Sequence, residues 1–181
     1  MSFHLSLVLG GVRSGKSAFA EGLAGKANGP VLYLATGLAV DPEMEERIRR
    51  HQESRPSNWE TIEEPLDLAG RLNEVSGSVL IDSLDVWLAN MMMEQKELKA
   101  AELEKSVLCH LDALFKVIDK ASAAFTLVSS EVGLSLVPVE PLGRRFQDLL
   151  GTINQLVADR ADRVFMVVAG IPTQIKGPDL K

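Results

Sequence analysis

The chain has 181 residues, 46% of them apolar and 24% charged, which is the length of one domain and the composition of an ordinary soluble globular protein. Lys and Arg number 19 against 25 Asp and Glu, a net charge of −6; this disfavours non-specific binding to nucleic acid or anionic lipid, so a phosphate-bearing ligand must be gripped locally. Cys109 is the single cysteine, too few for an internal disulfide or a cysteine-built zinc site, and no basic, signal-like start or 18-residue apolar run stands in the chain, so a cytoplasmic protein without membrane insertion is expected.

Short, nearly all-apolar runs alternate with segments of helical periodicity, the pattern of an α/β fold whose strands are covered on both faces. The first strand is expected over residues 5–9, followed by a helix over 17–26. A second strand over 31–35 ends at Thr36. Asp41 and Pro42 supply an N-cap and a first-turn proline for a helix running to about residue 54. Pro65 opens another helix ending near residue 73, a third strand covers 79–81, and the longest helix is expected over about 94–121. A strand over 125–128, a helix over 140–160, a strand over 164–168 and an edge strand within 170–175 complete the order. Segments 37–40, 55–63 and 131–138 lack periodicity and read as loops. In an open α/β sheet, ligand contacts gather at the carboxyl ends of the strands.

Chemistry concentrates after the first strand. Gly10, Gly11, Val12, Arg13, Ser14, Gly15, Lys16 and Ser17 satisfy G-x-x-x-x-G-K-[ST] with a strand before and a helix after. The glycines let successive backbone N–H groups surround phosphate oxygens, and the helix directs its positive dipole end at them. Lys16 is expected to reach the β and γ phosphates, and the Ser17 hydroxyl to ligate magnesium. Arg13 either contacts phosphate or faces solvent. A magnesium shell needs an anionic partner, and Asp82, ending the strand after Val79-Leu80-Ile81, supplies one; Asp85 reads as structural. The fold is therefore expected to be three-layered, with a mostly parallel sheet flanked by helices, of the phosphate-loop NTPase (RecA-like) type. These parts alone are equally compatible with a small-molecule kinase or a regulatory nucleotide-hydrolysing subunit.

Further residues narrow the choice. The phosphate loop, then Val31-Leu-Tyr-Leu-Ala-Thr36, Glu46-Arg-Ile-Arg-Arg-His51, Arg55-Pro56 and Trp59, together resemble the bifunctional adenosylcobinamide kinase/adenosylcobinamide-phosphate guanylyltransferase family. The likeness continues through Ser130-Glu131-Val-Gly133, Leu136-Val-Pro138, Arg145-Phe146, Gly151, Asn154-Gln155 and Val167-Val-Ala-Gly170-Ile171, covering nearly the whole chain. The resemblance implies a cobalamin-assembly enzyme with two steps. ATP or GTP phosphorylates adenosylcobinamide, and GTP then donates GMP to that phosphate through a histidine that carries the nucleotide covalently. By motif that histidine is His51.

The resemblance also implies a homotrimer. Family members often have Glu at Asp82, His at Arg50 and Asn at Ser130.

On the residues alone, Met44, Ile48, His51 and Arg55 continue one helical stripe with Arg47 a turn before His51. A neutral imidazole is a competent nucleophile and a guanidinium can stabilise charge on phosphate, although a core or surface histidine fits that stripe as well. Glu131, at the end of the 125–130 run, is a candidate general base or metal-shell carboxylate, and Thr36 a further binding candidate. His4 and His110 read as structural. Trp87 with Met91, Met92 and Met93 reads either as core or as a subunit contact.

Overall fold

A computed structural model describes residues 4–27, 29–38, 46, 49, 56–72 and 74–178. Among the described residues seven strands build one sheet: β1 (Leu5–Gly10), β2 (Val31–Ala35), β3 (Glu60–Glu63), β4 (Ser78–Asp82), β5 (Ala124–Ser130), β6 (Arg163–Val168) and β7 (Ile171–Lys176). Their spatial order is β3-β2-β4-β5-β1-β6-β7. All neighbours run parallel except β7, which returns antiparallel on β6. The helices whose bounds fall among the described residues are α1 (Lys16–Ala24), α2 (Leu84–Glu94), α3 (Ala100–Lys120) and α4 (Pro141–Arg160). The expected three-layer α/β architecture is thus the one observed.

Strict alternation along the strands splits the apolar residues between two faces. Val8, Tyr33, Leu80 and Val128 are buried with Ala20 and Ala24 of α1 on one face. Leu7, Leu9, Leu34, Ile81 and Leu127 are buried on the other, under α2, α3 and α4. α3 meets that face with Leu103, Val107, Leu111, Leu114, Phe115 and Ile118, a stripe at spacings of three and four. His4 closes the sheet floor, its Nε2 2.6 Å from the carbonyl of Ile118 and its ring edge-on to Phe125, so it is structural as expected. No helix among the described residues is long and apolar enough to cross a membrane.

Three expectations are corrected. The helix expected over 65–73 is a single 3-10 turn, Ala69–Arg71, because acidic side chains take the amides a helix would use. Glu64 Oε1 accepts from the N–H groups of Leu66 and Asp67, and Asp67 Oδ1 accepts from Gly70 N–H. The long helix expected over 94–121 begins only at Ala100, and a separate, unexpected helix, α2, precedes it. α2 buries Leu84, Trp87, Leu88, Met91 and Met92 at spacings of three and four, but Val86, Ala89 and Met93 make its other side apolar too, which blurs the contrast that periodicity detects. The chain turns at Gln95, and Glu102 restarts it by accepting the Lys99 amide at 3.2 Å, one half of a capping box. Trp87 is 1% exposed and donates Nε1–H to the Leu66 carbonyl at 2.9 Å, so it is core, as are Met91 and Met92; Met93 is exposed. Finally, β3 lies within the expected 55–63 loop. It is a four-residue edge strand with three exposed positions, paired to β2, and too short and polar to read as a buried strand. The helix expected over 41–54 falls outside the described residues except at Glu46 and Arg49, both helical, with Arg49 Nε donating to Glu46 Oε2 at 2.8 Å.

Candidate active site

The loop between β1 and α1 opens at the carboxyl edge of the sheet. Ser14 N–H donates to the Gly11 carbonyl at 3.2 Å and Phe19 N–H to Gly15 O at 3.0 Å, so the chain turns tightly into the helix. Gly15 takes φ +92°, a left-handed conformation that glycine adopts without steric cost, and a Cβ there would stand 3.2 Å from the Gly170 Cα. At Gly10 a Cβ would stand 2.4 Å from Ser14 Oγ and 2.7 Å from the Val167 carbonyl. Arg13 also has positive φ, 56°; it and Val12 lie on the exposed crest of the loop.

By helix geometry the first-turn N–H groups have no intrahelical acceptor, so α1 presents them to the loop. Lys16 Nζ bends back to the Gly11 carbonyl at 3.4 Å, at the outer limit of hydrogen bonding. Ser14 is buried, with Oγ lacking a hydrogen-bond partner among the described residues. The arrangement is a ring of donors, one ammonium and the half-buried Ser17 hydroxyl, suited to oxyanions.

The loop is held from outside by the hairpin joining β6 to β7. Ala169 and Gly170 both have positive φ, 52° and 80°, as a two-residue type I′ turn requires. Gly170 N–H donates to Ser14 O at 2.7 Å. The sequence reading placed residue 170 at the start of an edge strand and missed this clamp; two central residues between apolar runs were the available signal.

Asp82 ends β4, which is separated from β1 by β5, a lateral offset of roughly 10 Å for two strand spacings. By alternation it lies on the α1 face with Leu80. Tyr33 donates its phenolic O–H to Asp82 Oδ2 at 2.7 Å. Thr36, fully buried, donates its hydroxyl to the Ser83 carbonyl at 2.9 Å and accepts from Ser83 N–H at 2.8 Å, while its own N–H donates to Asp82 O at 3.1 Å. Asn90 of α2 donates to the Thr36 carbonyl at 2.8 Å. Thr36 therefore clamps the turn that carries Asp82.

Glu131 follows β5 directly and its N–H donates to the Gly10 carbonyl at 3.2 Å, which brings it beside the phosphate loop. Its Oε1 accepts from Gly133 N–H at 2.6 Å, leaving the carboxylate at the rim. Behind it, Ser130 Oγ donates to Asp85 Oδ2 at 2.8 Å and Asn154 Nδ2 donates to Ser130 O at 3.1 Å. Asp85, in the first turn of α2, is thus part of a polar support under the strand ends. Arg144 Nη1 donates to the Pro138 carbonyl at 3.0 Å and also to that of Val139, fixing the entry to α4. Arg145 lines a cavity of about 340 Å³ with Glu104, Arg144 and Asp148, between α3 and α4. His51, Arg47, Arg50 and Arg55 lie outside the described residues.

The donor set around the loop is hard oxygen: a serine hydroxyl and a carboxylate on one face of the sheet, with no group of three His, Cys, Asp or Glu poised for a metal among the described residues. That chemistry fits magnesium, which keeps waters and binds through one or two protein oxygens plus substrate phosphates.

Comparison with known proteins identifies relatives of this chain. The family model described as cobinamide kinase / cobinamide phosphate guanyltransferase matches residues 6–175. The chain is 40% identical over 178 residues to the bifunctional adenosylcobalamin biosynthesis protein CobP of Pseudomonas aeruginosa, covering 96% of this chain and 98% of that protein. It is 35% identical to the proteins CobU of Escherichia coli, over 182 residues, and of Salmonella typhimurium, over 179; each match covers 94% of this chain and 98% of the relative.

Proposed function

The chain belongs to the cobinamide kinase / cobinamide phosphate guanyltransferase family, and from that membership we propose how its residues divide the two reactions of a bifunctional adenosylcobinamide kinase and adenosylcobinamide-phosphate guanylyltransferase. The observation that carries the proposal is the phosphate loop from Gly10 to Ser17, with Gly15 left-handed, Ser14 Oγ orphaned and the N-terminus of α1 opening onto it.

In the first reaction the loop holds ATP or GTP, and the side-chain hydroxyl of adenosylcobinamide attacks the γ-phosphorus. The bond to the β-phosphate oxygen breaks and a nucleoside diphosphate leaves. Lys16 lies over the β and γ phosphates and offsets the charge spread over the transferring oxygens. Glu131, beside Gly10, takes the hydroxyl proton. Ser17 and Asp82 would hold magnesium, which when bound neutralises phosphate charge. Thr36 fixes the Asp82 turn, and the Gly170 clamp keeps the loop open. Positioning and fixed charge supply most of the acceleration.

In the second reaction a His51 imidazole nitrogen attacks the α-phosphorus of GTP. The bond to the β-phosphate breaks, pyrophosphate leaves, and GMP remains on nitrogen. An oxygen of adenosylcobinamide phosphate then attacks the same phosphorus, the N–P bond breaks, and adenosylcobinamide-GDP forms. Two in-line displacements predict net retention of configuration at the α-phosphorus.

The whole chain acts as one cytoplasmic domain, 1–181, with small-molecule partners only: adenosylcobinamide, ATP and GTP. It assembles as a homotrimer, as the family resemblance implies. Supporting association, Leu134, Leu136, Val137, Val139 and Leu142 stand exposed just past Glu131. Incubating the pure protein with adenosylcobinamide and GTP and weighing the products tests the whole reading. Phosphorylated and GDP-bearing cobinamide are expected. Phosphorylation of other alcohols with no GMP transfer would point to a different small-molecule kinase, and nucleotide hydrolysis without transfer to a regulatory subunit.

A further inference from the structure

We propose that Tyr33 is a positioning residue for the reaction: its phenol fixes the Asp82 carboxylate so that one oxygen is held by the protein while the other is left for the metal shell. The proposal rests on the reading of Asp82 as a carboxylate of that shell. Tyr33 sits inside β2, 2% exposed, on the α1 face. In the parallel pairing of β2 with β4 it lies opposite Leu80, and Ala35 lies opposite Asp82. Tyr33 and Asp82 are therefore diagonal neighbours on one face, a separation that a tyrosine spans and shorter side chains do not. The phenol donates its O–H to Asp82 Oδ2 at 2.7 Å, a short hydrogen bond to a carboxylate oxygen. Trp59 stands beside the ring, centroids 6.5 Å apart with a 33° tilt.

Two constraints then meet at Asp82. Thr36 fixes its main chain through Asp82 O and Ser83, and Tyr33 fixes its side chain. A phenylalanine at 33 would fill the same space and leave the carboxylate free to rotate. The cost would fall on metal engagement, not on the folding of the sheet. A merely structural tyrosine would show the reverse.

The chain contains one tyrosine, so protein labelled with carbon-13 at the tyrosine Cζ gives a single resonance that reports this contact. Titrating magnesium into the full chain with a non-hydrolysable GTP analogue is expected to move that resonance, with the same midpoint as the magnesium dependence of the kinase rate. Tyr33→Phe is expected to raise the half-saturating magnesium concentration about tenfold, the size of one modest hydrogen bond, with a smaller fall in kcat and a nearly unchanged Tm. A still resonance, or a Tyr33→Phe enzyme with wild-type magnesium dependence while Asp82→Asn raises it, would overturn the role of Tyr33 alone. If Asp82→Asn also leaves the magnesium dependence unchanged, the assignment of Asp82 fails and Tyr33 with it.

Discussion

A methyl group at Gly15 would need a backbone conformation that L-residues rarely adopt and would press on the Gly170 Cα. Gly15→Ala is therefore expected to cost nucleotide binding first. Strain of this kind costs of order 1–3 kcal/mol, so titration with a fluorescent GTP analogue should show affinity weakened at least fivefold while Tm falls by a few degrees; unchanged affinity would mean the loop tolerates another path. Lys16→Ala is expected to lower kinase kcat by a hundredfold or more, as removal of one charge aimed at a developing anion does in other sites. Rate measurement at saturating nucleotide checks it. The glycine and lysine positions were legible in the sequence because their spacing has a mechanical reason. Tyr33, Gly170 and Thr36 were less so. Their roles are made by register between strands far apart in the chain, and a strand residue carries no mark of its diagonal neighbour.

At the scale of elements, the strands were legible wherever both faces are buried, because a continuous apolar run is then unavoidable. β3 was not, being a polar edge, and α2 was not, because apolar residues outside its buried stripe blur the pattern. The segment after β3 shows how local hydrogen bonds defeat a helix that Pro65 and the following leucines suggest. Burial alone would raise the Glu64 carboxyl, but the hydrogen bond from Arg71 at 2.9 Å and the amides of Leu66 and Asp67 outweigh it and hold the group below its ordinary 4.5. A depressed carboxyl contributes stability above its unfolded value and loses it as pH falls through the folded one. Glu64→Gln is thus expected to cost about 1 kcal/mol at pH 7, below the usual range for hydrogen bonds to a charged group because Arg71 is more than half exposed. Denaturant melts at several pH values check the sign: the gap to wild type should close as pH drops below 4.5. A gap that widens in acid would contradict it.

For the whole molecule, the sheet order brings β1, β5 and β4 side by side, so the phosphate loop, Glu131 and Asp82 share one edge although they lie far apart in sequence. That convergence follows from parallel connections and was foreseeable as a fold class, whereas the exact strand order was not. The exposed apolar loop beyond Glu131 belongs to this scale too. If the proposed association runs through it, replacing Leu136 and Val139, 92% and 88% exposed, by serine is expected to shift the sedimentation of the protein toward smaller species without lowering Tm of the isolated fold; unchanged sedimentation would move the contact elsewhere or remove it. His51, outside the described residues, joins the account through the family motif and the helical spacing of its sequence, and on it the two-step chemistry turns. The most direct measurement uses GTP labelled at the α-phosphate. Wild-type protein should retain label in an acid-labile, base-stable bond. His51→Asn should retain none while still binding GTP. Label that persists on the His51→Asn protein would contradict the account.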